Sequence, residues 1–191
     1  MTKNFIICKP DGYLSQFINN QSKRNNKRLL GELFDFPEGA MAIGRLDELS
    51  EGLLLITTDG KVSEHVRSTK VEKEYYVQVD GIITREAIEI LKNGVSIGFY
   101  GNIYTTKKCK AKIVNPFIDF PIRKKKIRDE RHGPTSWVSI TLTEGKFRQV
   151  RKMTAAVGFP TLRLIRVRIG AIHLNGMQAG EVIPVNGNFC L

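Results

Sequence analysis

Cysteine is scarce in this chain of 191 residues. Cys8, Cys109 and Cys190 lie far apart and never at CxxC spacing, which argues against a zinc site and a disulfide framework and fits a reducing cytoplasm. Histidine is as sparse, with His65, His132 and His173 scattered along the chain, so no metal-ligand cluster is expected. No stretch reaches the roughly 18 consecutive apolar residues that a membrane span needs. The first 17 residues lack a continuous apolar core and a small-residue cleavage site, so no secretory signal is expected. Acidic residues are the last shortage: 19 Asp and Glu stand against 30 Lys and Arg, a net charge of +11 and a pI near 9.7. What is present is an ordinary globular mixture, 41% apolar and 26% charged, which excludes a disordered chain. The length suits one domain, or one domain of two lobes.

The positive charge is concentrated. Residues 107–168 hold 17 Lys and Arg against 4 Asp and Glu, an excess of +13, while the remainder of the chain is close to neutral at −2. A basic block of this kind draws a polyanion by counterion release and steering, and nucleic acid is the leading partner. A solvated basic face with no partner is the plainer alternative. The run Arg123, Lys124, Lys125, Lys126, Arg128 and Arg131 lies between Pro121 and Gly133-Pro134, which reads as a loop rather than a membrane-surface helix.

Strand signals dominate the pattern. Phe5–Cys8, Met41–Leu46, Gly52–Thr58, Lys73–Gly81, Trp137–Leu142, Leu162–Ile172 and Val182–Val185 read as strands, with several more between Val95 and Pro116. Trp137–Leu142 alternates and is expected to be half-buried. Asp59-Gly60 reads as a turn ending a buried strand, with one or two helical turns over Lys61–Ser68. Thr84 is a plausible N-cap for a helix that ends at Asn93-Gly94, and a second helix runs from Gln149 to Val157 with Gly158 beyond it. Ser22–Arg28 is a polar, basic loop. Many strands with two or three helices between them favour an α+β fold with a mostly antiparallel sheet.

Two local motifs carry chemistry. Gly44-Arg45-Leu46-Asp47-Glu48-Leu49-Ser50-Glu51-Gly52 places an Arg-x-Asp on a loop anchored from behind by the buried run Leu53–Ile56. Loops on rigid scaffolds are where catalytic groups tend to stand, although an aspartate there could simply cap a turn. In Glu144-Gly145-Lys146-Phe147-Arg148-Gln149-Val150-Arg151-Lys152-Met153, four cations crowd the start of a helix. That is mildly unfavourable for the helix dipole, and makes sense if they face an anion rather than bulk solvent.

Together these motifs resemble the pseudouridine synthases of the ribosomal-RNA type, with the pattern GRLDxxSxGLLLxTxDG. Lys73-Glu74-Tyr75-Tyr76-Val77, the Glu144–Met153 segment and Leu164-Ile165-Arg166-Val167-Arg168-Ile169-Gly170 match in order. The resemblance covers nearly the whole chain, from Lys9-Pro10 to Gly180-Glu181. It implies a single catalytic domain over 1–191, in two lobes divided near 68–72, with a basic cleft and no separate N-terminal RNA-binding module. It further implies the short branch acting on 23S (large-subunit) ribosomal RNA and a reaction needing no cofactor; a cytoplasmic monomer is expected.

The resemblance assigns Asp47 as the catalytic carboxylate, Arg151 as the guanidinium that keeps it ionised through a bidentate pair, and Tyr75 as the ring stacked on the base. Tyr76 competes for that last role, because adjacent strand residues face opposite sides. The target uridine must be flipped out of its stack, and Arg45 is expected to fill the gap or hold the neighbouring phosphate. Arg148, Lys152, Arg163, Arg166 and Arg168 are phosphate-contact candidates, with Arg166 and Arg168 on one strand face. The stretch Ile122–His132, which carries Arg123, Lys124, Lys125 and Lys126, is longer and more basic than the family pattern leads one to expect, and reads as an extra RNA-gripping loop or a disordered insertion. The histidines fall outside the matching catalytic positions and are expected to be structural or exposed. Two other readings of the residues are a non-catalytic RNA-binding assembly factor on the same fold, favoured by the charge block, and a metal-dependent nuclease, for which the basic segment offers almost no carboxylates.

Overall fold

The computed structural model describes residues 2–18, 26–68, 71–115, 120–121, 123, 126–127, 130–189 and 191. The chain divides into two compact units. The first comprises Met1–Val71, Asp119–Lys124 and Arg166–Leu191, and the second Glu72–Ile118 and Lys125–Ile165. The polypeptide thus leaves the first unit at Val71, returns briefly, and returns again in the middle of a strand.

The first unit is built on β1 (Asn4–Lys9) and β5 (Glu51–Thr57). They pair antiparallel with Phe5 opposite Ile56 and Ile7 opposite Leu54, which sets four apolar side chains on one face. β13 (Val182–Val185) covers the other edge of β1, and β4 (Met41–Ile43) adds to β5. Leu30, Phe17, Leu33 and Phe36 close over that face, with Phe36 edge-on to Phe5 at 5.4 Å. Every residue of β5 is buried, as its unbroken apolar run requires of a strand covered on both sides. A short parallel pair, β2 (Tyr13–Leu14) and β3 (Arg28–Leu29), flanks the unit. The strand ends before Asp59 as expected, and Asp59 Oδ1 accepts the Lys61 N–H at 2.8 Å at the start of helix α1 (Gly60–Ser68), which begins one residue earlier than expected.

The second unit places β10 (Thr135–Leu142) between β6 (Lys73–Asp80) and β9 (Lys110–Val114), both antiparallel to it. β10 departs from the half-buried expectation, since Val138–Leu142 are buried on both faces. Its polar face is covered too, and Ser139 Oγ there donates to Glu74 Oε1 at 2.7 Å. Helix α2 (Arg85–Asn93) is capped by Thr84, whose Oγ1 accepts the Ala87 N–H. It leads into a hairpin of β7 (Ser96–Phe99) and β8 (Asn102–Thr105). Helix α3 (Gln149–Ala156) follows β10. Strand β11 (Thr161–Ile169) begins in the second unit and ends in the first, where β12 (Ile172–His173) pairs with it. Among the described residues no helix is long and apolar enough to cross a membrane, and no group of three or more His, Cys, Asp or Glu is placed to hold a metal ion.

Candidate active site

Asp47 stands half-buried on the loop between β4 and β5, after exposed Arg45 and buried Leu46. The loop is held on both sides of Asp47. Ser15 Oγ accepts the Leu46 N–H at 3.0 Å and donates to the Leu46 carbonyl at 2.8 Å, so one hydroxyl satisfies both backbone groups. The Glu48 carbonyl accepts the Gly12 N–H at 2.8 Å and an N–H of the Lys9 ammonium at 3.3 Å. The Ser50 N–H closes a turn onto the Asp47 carbonyl at 2.9 Å. The aspartate is thereby presented by a loop whose backbone has little freedom on either side, the arrangement a group with a fixed chemical task requires.

Lys9, which the sequence pattern does not single out as a site residue, is fully buried. Its Nζ also donates to the Pro10 and Tyr13 carbonyls, at 2.8 and 2.6 Å. Burial pushes this ammonium down from 10.5 to about 8, against the opposing pull of Asp11, Glu51, Glu48 and Asp47. The one sequence sign of it was the Lys-Pro-Asp-Gly spacing, in which a cation precedes a tight turn full of carbonyls.

Arg123 departs from the expectation of an RNA-gripping cation. Its Nη2 lies 2.8 Å from Asp11 Oδ1 and its Nε donates to Asp11 Oδ2 at 3.1 Å, a bidentate pair, with Glu51 3.6 Å from Nη1. Both carboxylates and the guanidinium are largely withdrawn from solvent. The charge of Arg123 is therefore balanced inside the first unit. Lys124, Lys125 and Arg128 lie outside the described residues, and Lys126 is exposed.

Arg166 also differs from an exposed phosphate contact. It is 4% exposed, its Nε donates to the Leu53 carbonyl at 2.7 Å, and its Nη2 is buried without a hydrogen-bond partner among the described residues. Gly52 allows β5 to approach so closely that a Cβ there would meet the Arg166 carbonyl oxygen at 2.3 Å. Arg168 is half-buried and donates to the Gly170 carbonyl at 2.9 Å. The two arginines share a strand but not an environment.

In the second unit Tyr75 is buried on the face of β6 that carries Val77 and Val79, opposite Ile140, whereas Tyr76 lies half-buried on the other face. Burial, with the Glu74 charge adding to it, raises the Tyr76 phenol. Arg151 is half-buried in the first turn of α3. Arg148 caps that helix with a left-handed backbone, φ 53°, and makes no side-chain cap bond. What holds the turn is Glu144, another residue not singled out from sequence. Its carboxylate accepts from Tyr104 Oη, from the Lys107 N–H and from Gln149 Nε2, while Gln149 Oε1 accepts the Lys146 N–H. Burial pushes this carboxyl up, but those hydrogen bonds together outweigh burial and hold it below 4.5. Lys152 Nζ donates to the Gly98 carbonyl at 2.7 Å, tying α3 to the β7–β8 hairpin. Arg163 is half-buried in β11, and His65, His132 and His173 are exposed.

Comparisons with known proteins place this arrangement. Residues 3–156 match the model of the RNA pseudouridylate synthase family. The chain is similar to "Ribosomal large subunit pseudouridine synthase E" of Xanthomonas axonopodis pv. citri (strain 306), 38% identical over 174 residues, covering 90% of this chain and 88% of that protein. It is 37% identical over 186 residues to the protein of the same name from Vibrio parahaemolyticus serotype O3:K6, covering 94% and 72%. A solved structure described as a pseudouridylate synthase superposes with a TM-score of 0.77 at 25% identity, covering 97% of this chain and 71% of that one. The α+β fold with a dominant sheet is that of these enzymes. The chain belongs to the RNA pseudouridylate synthase family and is an RNA pseudouridine synthase.

Proposed function

We propose that this enzyme isomerises one uridine of 23S ribosomal RNA, with Asp47 as the catalytic carboxylate. The observation that carries the reading is the loop of Asp47, held at Leu46 by Ser15 and at Glu48 by Lys9 and Gly12. The large-subunit target is supported by the names of relatives 36–38% identical over most of the chain.

In the reaction the bond from the ribose C1′ to uracil N1 breaks, the base turns, C1′ bonds to carbon 5, whose hydrogen leaves as a proton, and N1 takes up a proton. A base inside a stack cannot undergo this, so the uridine is extruded first, at a cost of about a few kcal/mol. Asp47 opens the reaction from its fixed loop, Tyr75 packs against the base, and Arg151 contributes a guanidinium to the catalytic set. Arg45, exposed two residues before Asp47, serves the strand from which the base has left. Arg148, Lys152, Arg163, Arg168 and the exposed Lys126 serve the phosphates. Arg123 and Arg166, both turned inward, hold the first unit together instead.

The test is pseudouridine mapping of ribosomal RNA from cells lacking the protein, followed by restoration with purified enzyme on the unmodified RNA. One missing large-subunit site, regained on incubation, is expected. An unchanged large-subunit map, with a site lost from another RNA, would refute the assignment of substrate.

A further inference from the structure

We propose that the tip of the β7–β8 hairpin and Phe147 form a stacking platform for unpaired bases of the RNA substrate beside the target uridine. The inference rests on the RNA-modifying reading above and adds a surface to it.

The hairpin tip is unusual in chemistry and in backbone. Phe99 pairs with Asn102, so Tyr100 and Gly101 form a two-residue turn, with φ of 49° and 80°. Such turns favour Asn-Gly or Asp-Gly, because the first position is left-handed and a bulky side chain is strained there. A tyrosine at that position is a poor choice for stability. It is also 79% exposed, and neighbouring Ile103 is 82% exposed. Backbone strain of this kind persists where the side chain has a task.

Cations and rings alternate across the surface that the tip shares with the start of α3. Phe147, 57% exposed, has the Lys152 ammonium 5.5 Å from its ring centre, and the same ammonium stands 5.7 Å from Phe99. The Lys146 ammonium stands 5.5 Å from Phe99 and 5.1 Å from Tyr104, and Tyr100 packs on Phe99 at 4.6 Å. The Glu144 carboxylate, which accepts from Tyr104, is also engaged by Lys107 and Gln149. Exposed rings interleaved with ammonium groups are the device by which proteins hold single-stranded RNA: bases stack on the rings and phosphates meet the cations. The ammonium groups of Lys146 and Lys152 over these rings match the phosphates that an RNA strand carries beside its bases, which favours RNA. Arg151 lies on the same helix, three residues beyond Arg148, so the platform adjoins a residue of the proposed catalytic set.

The test measures binding of a short unstructured oligoribonucleotide carrying 2-aminopurine, whose fluorescence falls on stacking, to the full chain and its variants. Tyr100→Ala and Phe147→Ala are each expected to weaken binding about 5- to 150-fold and to restore fluorescence. The slope of affinity against salt stays unchanged, because a ring carries no charge. Tyr100→Phe keeps native affinity. Tyr100→Asn binds as weakly as Tyr100→Ala but melts higher, since asparagine suits the left-handed turn. Ile82→Ser, at an exposed apolar residue elsewhere on the unit, binds normally.

Native affinity in both alanine variants overturns the platform. So does self-association of the native chain that is lost in Tyr100→Ala while strand binding is untouched, because the surface would then serve protein. Tritium release from RNA labelled at uridine carbon 5 keeps the two readings apart. Release with no binding change in the variants sinks the platform alone, and stacking without release sinks the activity alone.

Discussion

Gly44 and Gly52 bracket the loop of Asp47, and the structure gives them different reasons to be glycine. Both have positive φ, 70° and 98°. A Cβ at Gly44 meets nothing within 4 Å, whereas one at Gly52 falls 2.3 Å from the Arg166 carbonyl oxygen and 2.9 Å from its nitrogen. Gly44→Ala therefore suffers the backbone penalty alone, about 1–2 kcal/mol. Gly52→Ala suffers that penalty and must also part β5 from β11 by roughly an ångström, adding about 1–3 kcal/mol or more of overpacking. The expected losses are about 1–2 kcal/mol for Gly44→Ala and about 2–5 kcal/mol for Gly52→Ala. At this chain length they lower the melting temperature by roughly 2–8 °C and 4–20 °C. Thermal unfolding followed by circular dichroism, with urea midpoints alongside, separates the two. Equal losses at both positions would refute the close-approach argument, and a Gly52→Ala protein melting with the native one would refute it outright.

The buried Lys9 gives a pH dependence of definite sign. Its folded value of about 8 lies below the 10.5 of the unfolded chain, so between these values the unfolded state holds the extra proton. Stability from this group therefore rises with pH across that window, by about 3 kcal/mol in full. Urea midpoints from pH 7.5 to about 10 are expected to show the rise in native protein and to lack it in Lys9→Met; parallel profiles would contradict the assignment. Arg123→Ala strands Asp11 and Glu51 in a largely dry setting and is expected to cost about 2–4 kcal/mol. The same change should leave the salt slope of RNA binding unaltered, and a slope lower by about one would return Arg123 to the RNA.

Much of the fold was legible because periodicity and punctuation agreed. The run Gly52–Ile56 fits only a buried strand, and Thr84 with Asn93-Gly94 marked both ends of a helix. The site loop was legible through motif resemblance rather than physics, since a lone Arg-x-Asp on a loop is equally a turn. What could not be read were the long-range partners. Asp11 and Arg123 stand 112 residues apart, and nothing local in a Lys/Arg run says that its first arginine is turned inward. Alternation predicted Arg166 and Arg168 alike, but the close approach that Gly52 permits withdraws one and not the other. The Phe-Tyr-Gly-Asn turn carried its signal in plain sight, a two-residue hairpin with an aromatic where asparagine belongs.

The most direct measurement of the central claim is tritium release from 23S ribosomal RNA labelled at uridine carbon 5, catalysed by native protein and by Asp47→Asn. Asparagine keeps the shape of the side chain and removes the carboxylate. The native protein is expected to release tritium equivalent to one site per RNA, and Asp47→Asn none above buffer while binding the RNA with native affinity. Release by Asp47→Asn at the native rate would show that the carboxylate is not the catalyst.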